Sequence, residues 1–184
     1  FNNGNNEVCN AAIMTRDGGY MLAGTGTRYN NRMTAKKVDR NSAELFTKTF
    51  AERSWINTFS VTEDALNNLY ILTNTQEGAV YSMGLYRLNN QGETAFFKEH
   101  FLGNTMIYPR HVFLSSRNEL LITSSRQDNT LKTSIIRMNL AGELIANDVI
   151  EYFEGYKTFE DVNGDLFVTG TKGGDISILK LTYD

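Results

Sequence analysis

The run Tyr20-Met21-Leu22-Ala23-Gly24 decides the fold of this 184-residue chain, because similar apolar runs return about every 50 residues. The later runs, at offsets of 50, 50 and 46, are Tyr70-Ile71-Leu72-Thr73-Asn74, Leu120-Leu121-Ile122-Thr123-Ser124 and Leu166-Phe167-Val168-Thr169-Gly170. A second landmark, a cation followed by an apolar and a polar residue, keeps nearly the same period in Lys37-Val38-Asp39, Arg87-Leu88-Asn89, Arg137-Met138-Asn139 and Lys180-Leu181-Thr182. Strand-like repeats with this period predict β-sheets repeated around an axis.

Each copy divides into four short strands, which we call a to d, separated by turn residues such as Asp17-Gly18-Gly19 and Asn163-Gly164. No segment has the 3.6-residue period and the caps of a helix. The sequence therefore predicts an all-β protein, a β-propeller of four-stranded antiparallel blades in one segment over 1–184. About four blades are visible, and the last lacks its d strand. The copies cover roughly residues 1–50, 51–101, 102–150 and 151–184.

The order of motifs within each copy resembles a known group of repeats. A turn with Gly or Asn precedes the apolar run, and a cation, an apolar residue and an Asx turn such as Asn89-Asn90-Gln91-Gly92 follow it. This order is similar to bacterial β-propeller repeats of the delta-sixty or WD-like kind, over nearly the whole chain. The Trp-Asp dipeptide of true WD repeats is absent. The resemblance implies a propeller fold and an exported protein, extracellular or in the cell envelope, and it identifies no ligand.

The two ends of the chain bear on ring closure. Phe1 aligns with Phe50 and Phe101, at the end of strand d, so we expect the strand that completes the fourth blade to lie upstream of the first residue. This favours consecutive blades of a larger ring of about six to eight, with further blades of the same protein or an assembly partner. The alternative is a closed four-bladed ring with an incomplete last blade.

Composition excludes several partners and sites. The chain has 18 basic and 21 acidic residues, which is not the charge pattern of a nucleic-acid-binding surface. No apolar stretch approaches the roughly 18 to 20 residues of a transmembrane helix. His100 and His111 lack the spacing of a metal site, so we expect no metal, no cofactor and no catalytic residue from the motifs. Cys9, the single cysteine, is expected to be a small buried hydrophobe.

A ligand-binding face is predicted from the connections between strands. The d-to-a and b-to-c connections lie on one face and carry aromatic and Arg side chains, the usual components of a recognition surface. The candidate ligand-binding residues are Trp55, Tyr108, Arg53, Arg110, Arg28 and Tyr29. Trp55 and Tyr108 are aligned at matching points of successive copies, and the alternative role for both is packing over the gap between blades.

Other side chains near the turns are expected to be structural. Tyr152 and Phe153 are expected to pack between blades. Glu63, Asp64, Glu160 and Asp161 lie in or beside turns, where solvation is the default expectation.

Three functional hypotheses follow. The first is a non-catalytic scaffold or binding module for a protein or glycan partner. The second is a glycan-active enzyme, which a pocket with two carboxyl groups would favour, because glycosidases use such a pair. The third is an architectural subunit of a larger extracellular assembly, which a broad apolar contact patch would favour.

Overall fold

The computed structural model describes residues 7–26, 32–101, 106–127 and 130–182. Fifteen strands in these ranges form four antiparallel sheets, and within each sheet strands adjacent in sequence are hydrogen-bonded neighbours. These ranges contain no helix, and therefore none long and apolar enough to cross a membrane. The predicted all-β class is confirmed.

Strand bounds follow the predicted copies. The first sheet contains β1 (Glu7–Met14), β2 (Tyr20–Gly26), β3 (Arg32–Val38) and β4 (Glu44–Phe50). The second contains β5 (Trp55–Glu63), β6 (Leu69–Glu77), β7 (Val80–Leu88) and β8 (Thr94–His100). The third contains β9 (Met106–Leu114), β10 (Leu120–Gln127), β11 (Leu131–Met138) and β12 (Leu144–Glu151). The fourth contains β13 (Glu154–Glu160), β14 (Leu166–Lys172) and β15 (Asp175–Leu181), so in the described residues it lacks a d strand, as predicted.

The chain divides into two compact units, Phe1–Phe101 and Leu102–Asp184. The first unit holds the first and second sheets, and the second unit holds the third and fourth. The division falls on the predicted boundary between the second and third copies. That all four copies form a single propeller segment over 1–184 stays a prediction.

Seven described turns share one hydrogen-bond pattern. After β3, the Asp39 N–H donates to the Ala43 carbonyl at 2.8 Å, and the Ser42 N–H donates to the Asp39 carbonyl at 3.0 Å. The Asp39 side chain accepts from the N–H groups of Asn41 and Ala43, which fixes the turn locally. The residue at the position of Ser42 has a positive φ in every case, which favours Gly and Asn there. These residues are Gly18, Ser42, Asn67, Gly92, Asn118, Gly142 and Gly164.

Each strand a contains a β-bulge at the same point. In the fourth sheet Gly155 pairs with Gly170 and Lys157 pairs with Thr169, so Tyr156 has no residue opposite it on strand b. A bulge bends its strand and redirects a side chain. The equivalent bulge residues of the first three sheets are Asn10, Phe59 and Arg110.

Two glycines of strand b lie opposite the bulge where the neighbouring backbone leaves no room for a Cβ atom. A Cβ atom on Gly24 would lie 2.2 Å from the Val8 carbonyl oxygen, and one on Gly170 would lie 2.1 Å from the Glu154 carbonyl oxygen. Backbone cannot move aside as a flexible side chain can, so only glycine fits. This explains why the apolar runs of the first and fourth copies end in Gly.

The bulges and turns correct one element of the sequence alignment. Tyr20 lies opposite Val38, and the residue in the equivalent position of the second sheet is Leu69, opposite Leu88, rather than Tyr70. The structural offsets of strand b are therefore 49, 51 and 46. The error arose because β6 is buried on both faces from Leu69 through Thr75, which removes the alternation that defines register.

Each unit has its own core between its two sheets. In the first unit, Met21 and Met33 of the first sheet pack against Leu69, Ile71 and Tyr86 of the second, and all five are fully buried. In the second unit the buried cluster is Ile135, Phe153 and Val168. The partly buried side chains around this second cluster are Ile150, Leu179 and Leu181.

Candidate functional site

A cavity of about 280 Å³ opens at one end of the second sheet, and we call it the Arg53 cavity. Arg53 precedes β5, Glu77 and Val80 belong to the β6–β7 hairpin, and Glu99 lies near the end of β8. In this sheet the d-to-a and b-to-c connections therefore meet, as the geometry of a four-stranded meander predicts. The lining residues are Arg53, Glu77, Val80, Ser82, Glu99 and Phe101.

An ion pair forms the floor of the Arg53 cavity. Arg53 Nε donates to both carboxylate oxygens of Glu99 at 2.9 Å, and Arg53 Nη2 also contacts Glu99 Oε2. The guanidinium carbon lies 5.9 Å from the centre of the Phe97 ring, a cation–π contact. The Glu99 side chain is 12% exposed and that of Arg53 is 34% exposed, so the pair presents the arginine to solvent.

Hydroxyl groups complete the environment of Glu99. The hydroxyls of Thr75 and Ser82 donate to Glu99 Oε1 at 2.8 and 2.9 Å. The hydrogen bond from Arg53 lowers the pKa of Glu99, burial opposes this effect, and the two hydroxyls reinforce it. Glu99 is therefore a fixed anion that orients Arg53, and it is not suited to donate a proton.

The rim of the cavity is ordered and partly apolar. Glu77 Oε2 accepts a hydrogen bond from the Ser54 N–H at 3.1 Å, and the Ser54 hydroxyl donates to the Gln76 carbonyl at 2.8 Å. Trp55, half-buried, begins β5 opposite Gln76. Two exposed apolar side chains also line the cavity, Val80 (53%) and Phe101 (61%). A charged floor with an apolar rim suits a polar ligand that also has apolar faces.

A second cluster of the same composition lies in the other unit, on bulge residues. Arg110, the bulge residue of β9, places Nη2 3.1 Å from Glu154 Oε1 and donates from Nε to the Ser125 hydroxyl at 3.2 Å. Its guanidinium carbon lies 5.7 Å from the ring centre of Tyr156, the bulge residue of β13. The bulges of the third and fourth sheets thus bring a cation and an aromatic ring together at a partly exposed position.

The structure distributes the predicted site residues over both units. Arg53 lines the Arg53 cavity, whereas Trp55 begins β5 on the opposite face of the second sheet from the lining residues Val80 and Ser82. Arg110 and Tyr108 lie on β9 in the second unit. Arg28 and Tyr29 fall outside the described residues. The roles of these residues stay predictions.

The predicted match between Trp55 and Tyr108 is wrong. Trp55 lies opposite Gln76, and the equivalent pair of the third sheet is Met106 opposite Gln127. Tyr108, opposite Ser125, corresponds to Asn57 instead. Trp55 lies four residues before its bulge residue Phe59, whereas Tyr108 lies two residues before Arg110, so the two positions do not match.

Burial corrects two further expectations and supports one. Phe153 is 1% exposed and packs with Ile135 and Val168 between the third and fourth sheets, as expected. Tyr152 is 67% exposed and has a positive φ of 56°, so it projects outward from the connection rather than packing between sheets. Cys9 is exposed, because it lies beside the bulge at the edge of the first sheet.

The acidic residues in or beside the turns bind backbone groups rather than being merely solvated, Asp161 by accepting from the N–H groups of Asn163 and Asp165. Asp64 is 2% exposed and accepts hydrogen bonds from two backbone N–H groups, the Asn68 amide and the Tyr70 hydroxyl. Glu63 Oε2 accepts from the Arg16 N–H at 2.6 Å, and Glu160 Oε2 accepts from the Ser116 N–H at 2.7 Å. Each glutamate ties the end of a strand a to a turn of the preceding sheet in the same unit.

The histidines bear on acid–base chemistry. Burial, reinforced by the charge of Lys157, lowers the pKa of His111 to about 4, so its imidazole is neutral at neutral pH. Its ring centre lies 6.2 Å from that of Phe113. Among the described residues there is no group of three or more His, Cys, Asp or Glu side chains that could hold a metal ion.

Sequence reasoning missed the acidic partners of both arginines. Arg53 and Glu99 are 46 residues apart, and Arg110 and Glu154 are 44 apart. The alignment of Tyr156 with Arg110 at equivalent bulge positions could have indicated the aromatic contact of Arg110, but it gives no signal for Glu154. No comparable signal marks Glu99, because strand d varies between copies.

Comparison with known proteins shows the fold. No protein-family model and no curated protein matches the chain. The solved endo-arabinase from Bacteroides thetaiotaomicron VPI-5482 is similar, with 12% identity, a TM-score of 0.62 and coverage of 94% of this chain and 74% of that one. A periplasmic gluconolactonase from Pseudomonas aeruginosa is similar at 10% identity, with a TM-score of 0.43 and coverage of 95% and 69%. The similarity to the endo-arabinase shows that the fold of this chain is of the β-propeller type.

Proposed function

We propose that this protein recognises a carbohydrate chain at the Arg53 cavity. The observation that carries the proposal is the combination of an oriented arginine, two carboxylates and an apolar rim in one concave site. Sugar rings present hydroxyl groups at their edges and C–H groups on their faces. A site for them therefore needs fixed hydrogen-bonding groups beside exposed apolar or aromatic side chains.

The geometry of the floor supports this role. Glu99 holds Arg53 through the guanidinium edge that carries Nε, and Glu99 is itself held by two hydroxyls. An arginine that is already ordered loses little side-chain entropy when it binds a pair of ligand hydroxyls. Glu77, on the exposed rim, supplies an acceptor for ligand hydroxyl protons.

The fold similarity supports a glycan more than a protein partner. The solved structure with the TM-score of 0.62 is named as an endo-arabinase, and at 12% identity it relates this chain to that protein by fold. We therefore choose linear arabinan as the first test glycan. An extracellular or cell-envelope location, where polymeric glycans are accessible, is part of the same proposal.

A second candidate function is glycan hydrolysis. The observation in its favour is that Glu77 and Glu99 both line the cavity, since glycosidases act with a pair of carboxyl groups. The lowered pKa of Glu99 suits the nucleophile or a stabilising anion, and Glu77 would then have to protonate the leaving group. Release of reducing ends from arabinan separates this function from binding alone.

The binding experiment has a matched control in the other unit. Arg53 and Arg110 are both 34% exposed and both paired with a glutamate, so Arg53→Gln and Arg110→Gln cost similar stability. We expect Arg53→Gln to weaken arabinan binding at least tenfold, about 1.4 kcal/mol, and Arg110→Gln to leave it unchanged in calorimetric titration.

Two variants test the apolar contribution, one at the rim and one at Trp55, a predicted site residue that does not line the cavity. Phe101→Ser removes a ring that is 61% exposed and should weaken binding without lowering the melting temperature. Trp55→Ala is expected to weaken binding as well. The proposal fails if arabinan and a panel of other polysaccharides do not bind, or if Arg53→Gln and Arg110→Gln weaken binding equally.

A further inference from the structure

One face of the fourth sheet, which we call its front face, carries apolar side chains that are exposed. Phe159, Ile176 and Ile178 are exposed and Phe167 is half-buried, and all four lie on one side of the sheet by strand register. Ile176 is 92% exposed and Ile178 is 62% exposed. Two isoleucines this exposed, two residues apart on the same side of one strand, indicate an interaction surface.

The equivalent positions of the first and third sheets are buried. Counted back from the cation that ends strand c, Ile176 corresponds to Met33 and Thr133, both 0% exposed. Ile178 corresponds in the same way to Ala35 (0%) and Ile135 (2%). The front face of the fourth sheet is therefore exposed at positions where the front faces of the first and third sheets are buried.

The cover of the first and third front faces is the strand a of another sheet. In the first unit β5 packs across β1, β2 and β3, and the Thr58 N–H donates to the Thr25 hydroxyl at 3.2 Å. In the second unit β13 packs across β9, β10 and β11, and the Gly155 N–H donates to the Thr133 hydroxyl at 2.6 Å. A front face is thus built to receive the opposite face, the back face, of a following sheet.

A back face without cover is also present in the chain. Tyr20 of the first sheet is 45% exposed, whereas the equivalent residues of the second and fourth sheets, Leu69 and Leu166, are 0% and 3% exposed. Leu22 lies on the same face and is half-buried. Front-to-back packing of two sheets occurs once in each unit. The back face of the first sheet and the front face of the fourth sheet are the two surfaces of this kind that stay exposed.

We propose that a second copy of this chain binds to the front face of the fourth sheet through the back face of its own first sheet. The contact repeats the internal packing of the first and second sheets and of the third and fourth. It is head-to-tail, because two different surfaces meet. The proposal is independent of the glycan site.

The internal interfaces also predict how this contact differs from them. Glu63 and Glu160 end their strands by accepting a turn N–H of the preceding sheet, from Arg16 and Ser116 respectively. In the first sheet this position is Met14, and the corresponding N–H group of the fourth sheet belongs to Val162. The contact between copies thus lacks one hydrogen bond, which makes it weaker than the internal ones. Met14→Glu supplies the missing carboxylate.

Sedimentation of the whole chain tests the proposal with two variants. Ile178→Lys disables the front face of the fourth sheet, and Tyr20→Lys disables the back face of the first sheet. Each variant alone should be monomeric at concentrations where the wild type associates, while an equimolar mixture should form a 1:1 dimer, because each copy contributes one intact face. Leu66→Lys, at a turn residue that is 77% exposed and lies on neither face, should associate like the wild type.

Met14→Glu provides a test in the opposite direction. We expect it to tighten association at least threefold, with circular dichroism used to confirm that every variant is folded. A wild type that stays monomeric at all accessible concentrations overturns the proposal. So does association that survives Ile178→Lys, or a mixture of the two lysine variants that stays monomeric.

Discussion

Each of the two units contains two packed sheets, and the units differ in the side chains that fill the space between the two sheets of a unit. In the first unit the Tyr86 ring lies 5.1 Å from Phe50 and stacks on Phe97 at 4.3 Å. In the second unit the equivalents of Phe50 and Tyr86 are Ile150 and Leu179, and no described strand corresponds to the one that carries Phe97. There a cavity of about 350 Å³ remains, lined by Ile135, Arg137, Asp148, Leu166, Lys180, Leu181 and Thr182.

The charged residue at the end of strand c shows the same difference. Lys37 of the first sheet is 0% exposed, and its Nζ lies 2.6 Å from Asp17 Oδ2 and also contacts the Asn90 side chain. Its equivalent in the third sheet, Arg137, has 21% of its side chain exposed and lies 4.0 Å from Glu119. The repeat specifies the course of the backbone and the turns. The volumes of the side chains and the number of strands decide whether a residue at a given position is buried. The following variants test that distinction.

The largest effect is expected for Tyr86→Ala. The variant should lose about 3–5 kcal/mol of unfolding free energy, because a fully buried aromatic ring and its two ring contacts disappear. The matched variant in the second unit, Leu179→Ala, should lose about 1–3 kcal/mol, because Leu179 is only partly buried. Urea unfolding followed by circular dichroism measures both, and equal losses would show that the two interfaces are equally packed.

A buried turn aspartate gives the next effect. Asp64→Ala should cost about 2–4 kcal/mol, because two backbone N–H groups, the Asn68 amide and the Tyr70 hydroxyl lose a buried acceptor. Asp161→Ala removes the equivalent carboxylate from the fourth sheet, where it binds the N–H groups of Asn163 and Asp165 nearer the surface. Its loss should be clearly smaller. Fluorescence of Trp55, the single tryptophan, reports unfolding of the first unit.

Lys37→Ala should have a smaller effect than Asp64→Ala, about 1–3 kcal/mol. The buried ammonium is lost, while Asp17 keeps solvent contact because its side chain is 37% exposed. The hydrogen bond from Lys37 lowers the pKa of Asp17 to about 2, and that from Thr15 contributes. The variant should therefore also raise the pKa of Asp17 in a titration followed by NMR. Arg137→Ala should cost about 0–1 kcal/mol, as expected for a partly exposed pair.

The smallest effect concerns pH. His111 occupies the position of Ala11 in the first sheet, so it makes the second unit alone sensitive to mild acid at this site. Its pKa is about 4 in the folded protein against 6.5 for the free side chain, so its contribution is complete above pH 6.5 and is lost as pH falls towards 4. Because the ring is partly exposed, we expect a loss of about 1–2 kcal/mol.

His111→Gln removes this pH dependence. Unfolding free energies of the variant at pH 7 and pH 5 should differ less than those of the wild type. A wild type whose stability is flat between these values would contradict the burial of the imidazole. The stabilisation from carboxylates with lowered pKa values, such as Glu99 and Asp64, is present above their unfolded-state pKa values of 4.5 and 3.8 and is lost only as pH falls below them, so it does not mask the effect.

Turns and strand number were predictable because their chemistry is local. The Asx residues at Asp39, Asn89 and Asn139 bind N–H groups two and four residues further on, so each turn is specified by its own few residues. The three strands that the fourth sheet has among the described residues followed from comparing copies of the same repeat. Register within the buried strand β6 was not predictable, because Leu69 and Tyr70 are both apolar and both buried.

The site divides in the same way. Arg53 and Arg110 were selected because arginines in loop connections are typical of recognition surfaces, and the structure shows that each has an acidic partner. The pairing of Arg53 with Glu99 depends on β5 and β8 approaching at one end of the second sheet. No short-range pattern encodes that approach.

By itself the amino-acid sequence determined the period, the all-β class, the hairpin turns and the assignment of strands to copies. These features depend on the conformational preferences of Gly and Asx residues and on the spacing of apolar runs, all of which act within a few positions of the chain. Tertiary structure alone decided which charges are buried, which arginine lines a cavity and which sheet faces stay uncovered. Those properties depend on side chains more than 40 residues apart meeting in space, where volume and desolvation rather than local preference set the free energy.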